Sequence, residues 1–350
     1  MADYKHDYAG IFKKIRIKLY LLFLKIIPQK EIQRLFYRSY RHINHRSRRS
    51  AESCPELYMT QEPNPVAGFG HGIDIWRNGV VNARAFELKY AYYPMVTEEW
   101  DKRLGFGEGI PDIKDLKKKG YKVVKLPYYD PKDSDDVDLI KRIIDSYSGE
   151  RIVFLNEFEQ PGLRNYGSYA REFMRGQFWR ASARQKDRLI FDEKKINVAV
   201  HIRRGDVTKD SKDQNISMRW LDNSYYMSVL EQILSVIDEK EKLKIYIFSE
   251  GDNKDFAEFE QLPCPIEFCL NMNVIDSFIH MCWADLLVVG LSSFSADPGH
   301  INPALKIVPS RFWGKHPDNG EWIVADEQGI MTAEDVALLK ERIIQDYKLK

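Results

Sequence analysis

Two adjacent arginines and a nearby acid follow a short apolar segment in the second half of the chain. Val198–Val200 has the composition of a buried parallel strand, and Arg203, Arg204 and Asp206 come directly after it. Because side chains alternate along an extended chain, one arginine can face a ligand while its neighbour anchors the loop. A guanidinium binds phosphate oxygens through paired hydrogen bonds. The pattern therefore predicts a site for a diphosphate leaving group at the carboxyl end of a strand.

The residues around these arginines resemble a known motif. His201–Asp206 reads His-Ile-Arg-Arg-Gly-Asp and resembles the H-x-R-R-x-D motif of the GDP-fucose-dependent fucosyltransferase superfamily, which includes the α1,2-, α1,6- and protein O-fucosyltransferases. Downstream, Ala284–Ser295 is similar to the α1,2 family's pattern of a strand followed by S-S-F-S. The two motifs come in the family's order within residues 195–310.

The resemblance implies a fold and an activity. The fold would be α/β of GT-B type, with two Rossmann-like domains facing a cleft. The activity would be an inverting, metal-independent transfer of L-fucose from GDP-fucose to a glycan hydroxyl, in polysaccharide or glycoconjugate synthesis. GDP-fucose would be the donor substrate, and no other cofactor is implied. The S-S-F-S stretch favours the α1,2 branch.

The resemblance also implies roles in the first motif. Arg203 corresponds to the arginine that contacts the β-phosphate, and His201 to the histidine that lines the nucleotide site. Arginine can stabilise a departing diphosphate without a metal. Arg204 is a further donor-site candidate, but we predict that it forms a structural ion pair, with Asp206 as its partner. Asp206 is a catalytic candidate together with Arg203, and a surface charge cluster is the plainer alternative.

The second motif and the helix before it supply further donor-site candidates. Asp276 corresponds to an acidic residue that reads the guanine base or the ribose, although capping of a helix is an equal alternative. Ser292, Ser293 and Ser295 follow a predicted strand, where hydroxyl and N–H groups can reach a phosphate at the next helix start. The Asp-Pro-Gly sequence before His300 departs from the family pattern. We therefore expect this helix to begin late and His300 to enter the site.

A glycine-rich stretch in the first half of the chain is a weaker candidate. Gly68, Gly70 and His71 precede a helix predicted at 79–92. Glycines let backbone N–H groups approach a phosphate at a helix N-terminus, although a plain turn is the commoner reading. The resembling family has a glycine-rich loop here, often with an amide where this chain has His71. His71 could hydrogen-bond a sugar hydroxyl or a phosphate.

Charge is distributed unevenly along the chain. Residues 1–50 hold 13 Lys and Arg against 3 Asp and Glu, and the other 300 residues hold 40 against 49. Residues 11–27 alternate apolar and basic side chains, which predicts an amphipathic segment that lies either on an anionic membrane or on the protein's own acidic body. Its apolar run is too short to span a bilayer. We expect a cytoplasmic protein, peripheral on a membrane at most, and no nucleic-acid partner.

Cysteine and acidic residues give no metal signature. The four cysteines form no C-x-x-C pair, which favours a reducing compartment. A D-x-D sequence at Asp133–Asp135 lies in a polar loop ahead of a predicted helix rather than after a strand. We therefore predict that the protein uses no metal.

Short apolar runs alternate with helical patterns, which favours parallel α/β sheets. We predict a basic arm at 1–50, a linker at 51–66, a first Rossmann-like, acceptor-side domain at 67–190 and a nucleotide-sugar-binding domain at 191–350. The predicted strands are Lys122–Leu126, Arg151–Leu155, Val198–Ile202, Lys244–Phe248, Ile266–Leu270, Leu286–Val289 and Lys306–Val308.

Other functions fit the same residues. The chain could be a related transferase that uses another nucleotide sugar, or a non-catalytic glycan-binding protein on this fold. It could also be a membrane adaptor that acts through its basic arm. The partners we expect are a nucleotide-sugar donor and a glycan or glycolipid acceptor.

Overall fold

A computed structural model describes residues 18–19, 22, 30–43, 56–163, 167–312 and 319–348. The chain divides into two compact units, Met1–Arg184 and Gln185–Lys350. Each unit contains one parallel sheet with helices in its strand connections. The predicted α/β class with two Rossmann-like domains is therefore confirmed.

The first unit contains a four-stranded sheet in the order β2-β1-β4-β3, with every pair parallel. Its strands are β1 (Tyr58–Gln61), β2 (Lys89–Tyr90), β3 (Lys122–Lys125) and β4 (Ile152–Asn156). Its helices are α1 (Lys30–Leu35), α2 (Arg38–His42), α3 (Phe69–Ala85), α4 (Glu98–Leu104), α5 (Ile113–Lys118), α6 (Ser134–Ser146) and α7 (Gly167–Arg180).

The sequence of β4 explains its place inside this sheet. All five of its residues are buried, as expected for a parallel strand covered on both faces. Helix α6 begins after Asp133, whose side chain accepts a hydrogen bond from the N–H of Asp135 at 3.0 Å. Its apolar side chains, including Ile140 and Ile143, join Phe154 of β4 in one buried cluster.

The second unit contains a six-stranded parallel sheet in the order β10-β9-β8-β5-β6-β7. Its strands are β5 (Ile196–His201), β6 (Leu243–Ser249), β7 (Ile266–Leu270), β8 (Leu286–Val288), β9 (Leu305–Pro309) and β10 (Trp322–Ala325). Its helices are α8 (Gln214–Ser217), α9 (Asn223–Ser235), α10 (Val274–Trp283), α11 (Ser293–Ile301) and α12 (Ala333–Lys348), and 3-10 turns cover Lys240–Lys242 and Asn253–Gln261.

The strand order of the second unit reverses between β5 and β8. Counted from β5, and read from the β7 edge, the order is 3-2-1-4-5-6, which is the order of the dinucleotide-binding Rossmann sheet. The chain leaves β5 toward β6 and later returns to form β8 on the other side of β5. The loops after β5 and β8 therefore diverge and leave a crevice at the carboxyl ends of these strands.

All seven predicted strands are present within two residues of their predicted bounds. Strand β1, however, lies inside the predicted linker 51–66, which corrects the linker. The sequence Tyr-Met-Thr-Gln is fully buried although half of it is polar, and that composition hid the strand. The two units divide between Arg184 and Gln185, before the predicted boundary at 190.

Two helix starts differ from the prediction. Helix α3 begins at Phe69 rather than near residue 79, and it tolerates Gly79 because this glycine packs on Gln61 of β1. A Cβ built there would lie 3.1 Å from the Cβ of Gln61. Helix α11 begins at Ser293 and contains Pro298, so the expectation of a late start was wrong. Ser292 caps the helix despite the Asp-Pro-Gly sequence that follows.

Among the described residues, no helix combines the length and the apolar character that crossing a membrane requires. The amphipathic segment predicted at 11–27 lies outside the described residues, apart from Lys18, Leu19 and Leu22. Its placement on a membrane or on the protein body stays a prediction.

Candidate functional site

His201 is the last residue of β5 and lies beside the crevice between β5 and β8. Its side chain is buried, and Nδ1 has no hydrogen-bond partner among the described residues. The ring packs edge-on against Phe294, with centroids 5.2 Å apart. Burial, reinforced by the charges of Arg203 and Arg204, lowers the pKa of His201 from 6.5 to about 3. His201 is thus a neutral imidazole whose buried Nδ1 has no hydrogen-bond partner among the described residues.

Arg203 lies at the surface beside this histidine. Its side chain is 23% exposed and forms an ion pair with Asp206, whose own side chain is 70% exposed. Its Nη1 also donates to the carbonyl oxygen of Arg204 at 3.2 Å. An ion pair with so exposed a carboxylate contributes little to stability. A phosphate can therefore replace Asp206 as the partner of this guanidinium at small cost.

Arg204 points the other way and is buried. Its Nη2 donates to the carbonyl oxygen of Leu221 at 3.0 Å and to Oδ1 of Asn223 at 2.5 Å. Its guanidinium lies 3.7 Å from the ring centroid of Trp220. The predicted ion pair between Arg204 and Asp206 is therefore wrong, because Asp206 pairs with Arg203. The division into one exposed and one anchoring arginine agrees with the alternation of side chains.

The three serines after β8 differ in what their hydroxyls do. Ser292 caps α11, and its Oγ accepts a hydrogen bond from the N–H of Phe294 at 3.2 Å. Ser295 is fully buried and its Oγ donates to backbone carbonyl oxygens. Ser293 is half-buried, and its hydroxyl forms no hydrogen bond with the described residues. At the start of the nine-residue helix α11, Ser293 therefore offers an anion its O–H and its N–H. The N–H groups of Phe294, Ser295 and Ala296 already donate to Ser292.

Close packing fixes the two loops of the crevice. A Cβ built on Gly290 would lie 2.7 Å from the carbonyl oxygen of His201 and 3.0 Å from the hydroxyl of Tyr226. Gly205 has a φ of +77°, and a Cβ there would collide with the carboxylate of Glu250 after β6. Only glycine fits either position. The backbone of each motif loop therefore depends on its glycine for its path.

The sequence reasoning missed four residues that shape the site. Gly290 and Tyr226 hold the crevice, while Asn223 and Trp220 hold Arg204. Gly290 could have been recognised in the sequence, because a glycine between a predicted strand and a capping serine indicates a close approach of backbone. The other three lie on or before α9, and only the tertiary structure brings them to the motif.

Asp276 lies in the first turn of α10 and is half-buried. The capping alternative is wrong, because the N-cap is Asn273, whose side chain accepts from the N–H of Ile275 at 2.9 Å. Helix α10 starts after β7, two strands from β5 at the same edge of the sheet. Phe278 of α10 approaches Phe294 of α11, with centroids 6.3 Å apart. Asp276 therefore lies on the helix that leads from β7 to β8, with its first turn at the carboxyl edge of the sheet.

The predicted glycine-rich loop belongs to the first unit and is the start of a helix. Gly68 is the N-cap of α3, and a Cβ built there would have no atom within 4 Å. Gly70 is buried in the first turn, while His71 is exposed. His300 also differs from expectation, since it lies in the last turn of α11 with its ring 5.0 Å from that of Trp322.

The D-x-D sequence has structural contacts. Asp133 caps α6, and Asp136 next to it forms a buried ion pair with Arg34. Within the described ranges, no three His, Cys, Asp or Glu side chains are grouped so that they could hold a metal ion.

Comparisons with known proteins give structural likenesses only. No family model matches the chain, and no curated protein matches it. The apo crystal structure of POFUT1 matches with 14% identity and a TM-score of 0.44, over 74% of this chain and 99% of that chain. A glycosyl transferase family 9 structure from Veillonella parvula matches with 10% identity and a TM-score of 0.41, over 84% and 96%.

The heptosyltransferase WaaC of E. coli with ADP matches with 12% identity and a TM-score of 0.39, over 83% of this chain and 99% of that chain. All three TM-scores are below 0.5. The fold assignment therefore rests on the two parallel sheets, and no family is assigned to the chain.

Substitution of Gly290 tests the packing of the crevice. We expect Gly290→Ala to lower the free energy of unfolding by about 1–3 kcal/mol, as overpacking does, because the new methyl group meets the His201 carbonyl and Tyr226. Chemical denaturation measures the change. The control is Gly176→Ala in α7, where the nearest atom would be 3.6 Å away at the flexible end of Arg180. Equal stability of Gly290→Ala and wild type would contradict the packing described.

The buried neutral His201 gives a pH dependence with a definite sign. Its pKa is about 3 in the folded protein and about 6.5 in the unfolded chain. The unfolded state therefore binds the proton more readily, and this residue makes folding less favourable as the pH falls from 6.5 toward 3. We expect the difference in Tm between wild type and His201→Gln to move in favour of the variant across this range. A difference that does not change with pH would contradict a neutral buried imidazole.

Proposed function

We propose that the protein is a glycosyltransferase that binds a nucleotide-sugar donor in its second unit. One observation carries the proposal. The strand order reverses between β5 and β8, and both motifs noted in the sequence follow these two strands. The reversal brings a neutral histidine, a half-buried arginine and a helix N-terminus to the crevice where Rossmann sheets bind nucleotides.

The groups around the crevice fit a diphosphate. Arg203 supplies a guanidinium that is held by the exposed carboxylate of Asp206 and by the carbonyl oxygen of Arg204. Ser293, at the start of α11, supplies an O–H and an N–H as further donors. His201, neutral and buried, supplies one hydrogen bond without adding charge. We propose that Arg203 takes the β-phosphate and the α11 N-terminus takes the second phosphate.

The chemistry that follows is displacement at the anomeric carbon. The bond between this carbon and the β-phosphate oxygen breaks as the acceptor hydroxyl attacks from the opposite face, so the configuration inverts. The nucleoside diphosphate leaves with the bonding electron pair, and Arg203 neutralises the charge that develops on it. The acceptor hydroxyl gives up its proton to solvent during the attack, so the products are the glycoside, the nucleoside diphosphate and one proton. This reaction requires no metal.

L-fucose from GDP-fucose is our proposal for the donor sugar. Support comes from the resemblance of His201–Asp206 to the H-x-R-R-x-D motif, and the S-S-F-S stretch favours α1,2 transfer to a glycan or glycolipid. Asp276, two strands from β5, is our candidate for the residue that reads guanine or ribose. Exposed His71, in the first unit, is our candidate on the acceptor side.

Transfer from another nucleotide sugar is the second candidate. It is favoured by one observation, namely that His201, Arg203 and Ser293 all offer groups suited to the diphosphate, which every nucleotide sugar shares. A glycan-binding protein without catalysis is less favoured. Arg203 is placed to neutralise the charge that develops on a leaving group. Such an interaction stabilises the transition state more than it stabilises the bound ground state, so a protein that only binds glycans would have little use for it.

Donor hydrolysis without acceptor tests the proposal. We expect GDP release from GDP-fucose by the wild type, and a loss of roughly 10²–10³-fold in Arg203→Ala, as when one donor to a developing charge is removed. UDP- and ADP-sugars serve as donor controls. Arg188→Ala is the matched variant, because Arg188 is an exposed arginine of the same unit outside the crevice loops.

The outcomes separate the candidates. One alternative outcome is release of nucleoside diphosphate from a different nucleotide sugar, with the same loss of rate in Arg203→Ala. That result would contradict L-fucose as the donor sugar but support the proposed donor site. Absence of release from every donor, together with no GDP-induced rise in Tm, would contradict a transferase of this kind.

A further inference from the structure

Helix α1 buries a charged side chain and exposes apolar ones, the reverse of the usual pattern. Arg34 forms an ion pair with Asp136 of α6, and the two side chains are only 12% and 5% exposed. Asp136 also accepts the N–H of Asp130 at 2.9 Å. A helix on a soluble protein normally buries its apolar stripe and exposes its charges. Here the charged residue attaches the helix to the first unit.

The apolar residues of this helix, and Phe36 in the turn directly after it, face outward instead. Ile32, Leu35 and Phe36 are 41%, 54% and 64% exposed. Ile32 and Leu35 are three residues apart and lie on one side of the helix, and the N–H of Phe36 donates to the carbonyl oxygen of Gln33 at 3.2 Å. Three large apolar side chains exposed together form a patch of the kind that marks an interaction site.

Cationic side chains continue this patch. Phe36 lines a groove of about 1110 Å³ together with Arg38, Arg41 and Lys122. Arg38, Arg41 and Lys122 are exposed, and no carboxylate of the described residues pairs with either arginine. The groove runs between α2 and the edge strand β3, where the Oγ of Ser39 donates to the carbonyl oxygen of Lys125 at 2.5 Å.

An apolar patch beside exposed cations matches the chemistry of an anionic bilayer surface, although one of these cations, Lys122, is paired with Glu150 at 3.5 Å. Apolar side chains enter the boundary between headgroups and acyl chains, while Arg and Lys bind the anionic headgroups. We propose that Ile32, Leu35 and Phe36, with Arg38, Arg41 and Lys122, form a membrane-docking face for anionic phospholipid. We call these six residues the docking face.

The docking face gives a described location to membrane contact, which is one of the two alternatives that the sequence leaves open for the basic N-terminal region. It does not depend on the proposed transferase activity, because docking is measured by binding alone. Loss of activity with retained docking, or the reverse, therefore separates the two proposals. Docking would bring the first unit to a lipid-linked or surface glycan acceptor.

Vesicle co-sedimentation of the full chain tests the docking face. We expect binding to vesicles of phosphatidylcholine with phosphatidylserine and little binding to phosphatidylcholine alone. Arg38→Gln with Arg41→Gln should weaken binding roughly 30-fold, since each cation near an anionic surface contributes about tenfold or less. Leu35→Ser with Phe36→Ser should weaken it by at least roughly tenfold.

Matched variants in the same unit control for charge and apolarity. Arg142→Gln removes an exposed arginine of α6, and Val66→Ser removes an exposed apolar side chain. Neither should change vesicle binding, and all variants should unfold cooperatively near the wild-type Tm. Unchanged binding of both docking-face variants, equal binding to both vesicle types, or no binding would overturn the proposal. A wild-type dimer that Leu35→Ser with Phe36→Ser dissociates would overturn it too, in favour of a second copy.

Discussion

The candidate site depends on the reversal of strand order between β5 and β8. Because successive strands are added first on one side of β5 and then on the other, the loops after these two strands diverge. Each loop then starts from a buried strand whose position is fixed by the central sheet. Gly290 allows the β8 loop to pass directly over the His201 carbonyl, and Gly205 allows the β5 loop to pass under Glu250. The geometry of the crevice is thus a consequence of backbone packing.

The two arginines show how one short loop carries opposite tasks. Arg204 satisfies backbone and side-chain acceptors inside the unit and stacks on Trp220, so its charge is committed to structure. Arg203 is held by the exposed carboxylate of Asp206 and by one backbone carbonyl oxygen, that of Arg204. His201 is kept neutral between them by burial and by their charges. Because the structural role falls to Arg204, Arg203 can bind a diphosphate without the loss of a strong internal ion pair.

Much of this could be predicted from the sequence, but with clear physical limits. The strands recognised in advance are continuous apolar runs such as that ending at His201. The missed strands are β1, which buries Thr60 and Gln61, the two-residue β2, and β10, which alternates buried and exposed residues. Alternation of side chains correctly separated Arg203 from Arg204. The partners of Arg204 could not be foreseen, because Leu221 and Asn223 reach it only through tertiary packing. The start of α3 was hidden because its glycines lower helix propensity, and packing on β1 compensates for that loss.

The most direct test asks where a nucleoside diphosphate binds. Hydrogen–deuterium exchange of the full chain, followed by mass spectrometry, should be compared with and without GDP, with UDP and ADP in parallel. We expect slower exchange in peptides that cover 201–206 and 290–296 with every nucleotide that binds. Slower exchange at the start of α10, if the guanine base is read there, should occur with GDP and not with UDP or ADP. Unchanged exchange in both loops with every nucleotide, or protection confined to the first unit, would contradict a diphosphate site between β5 and β8.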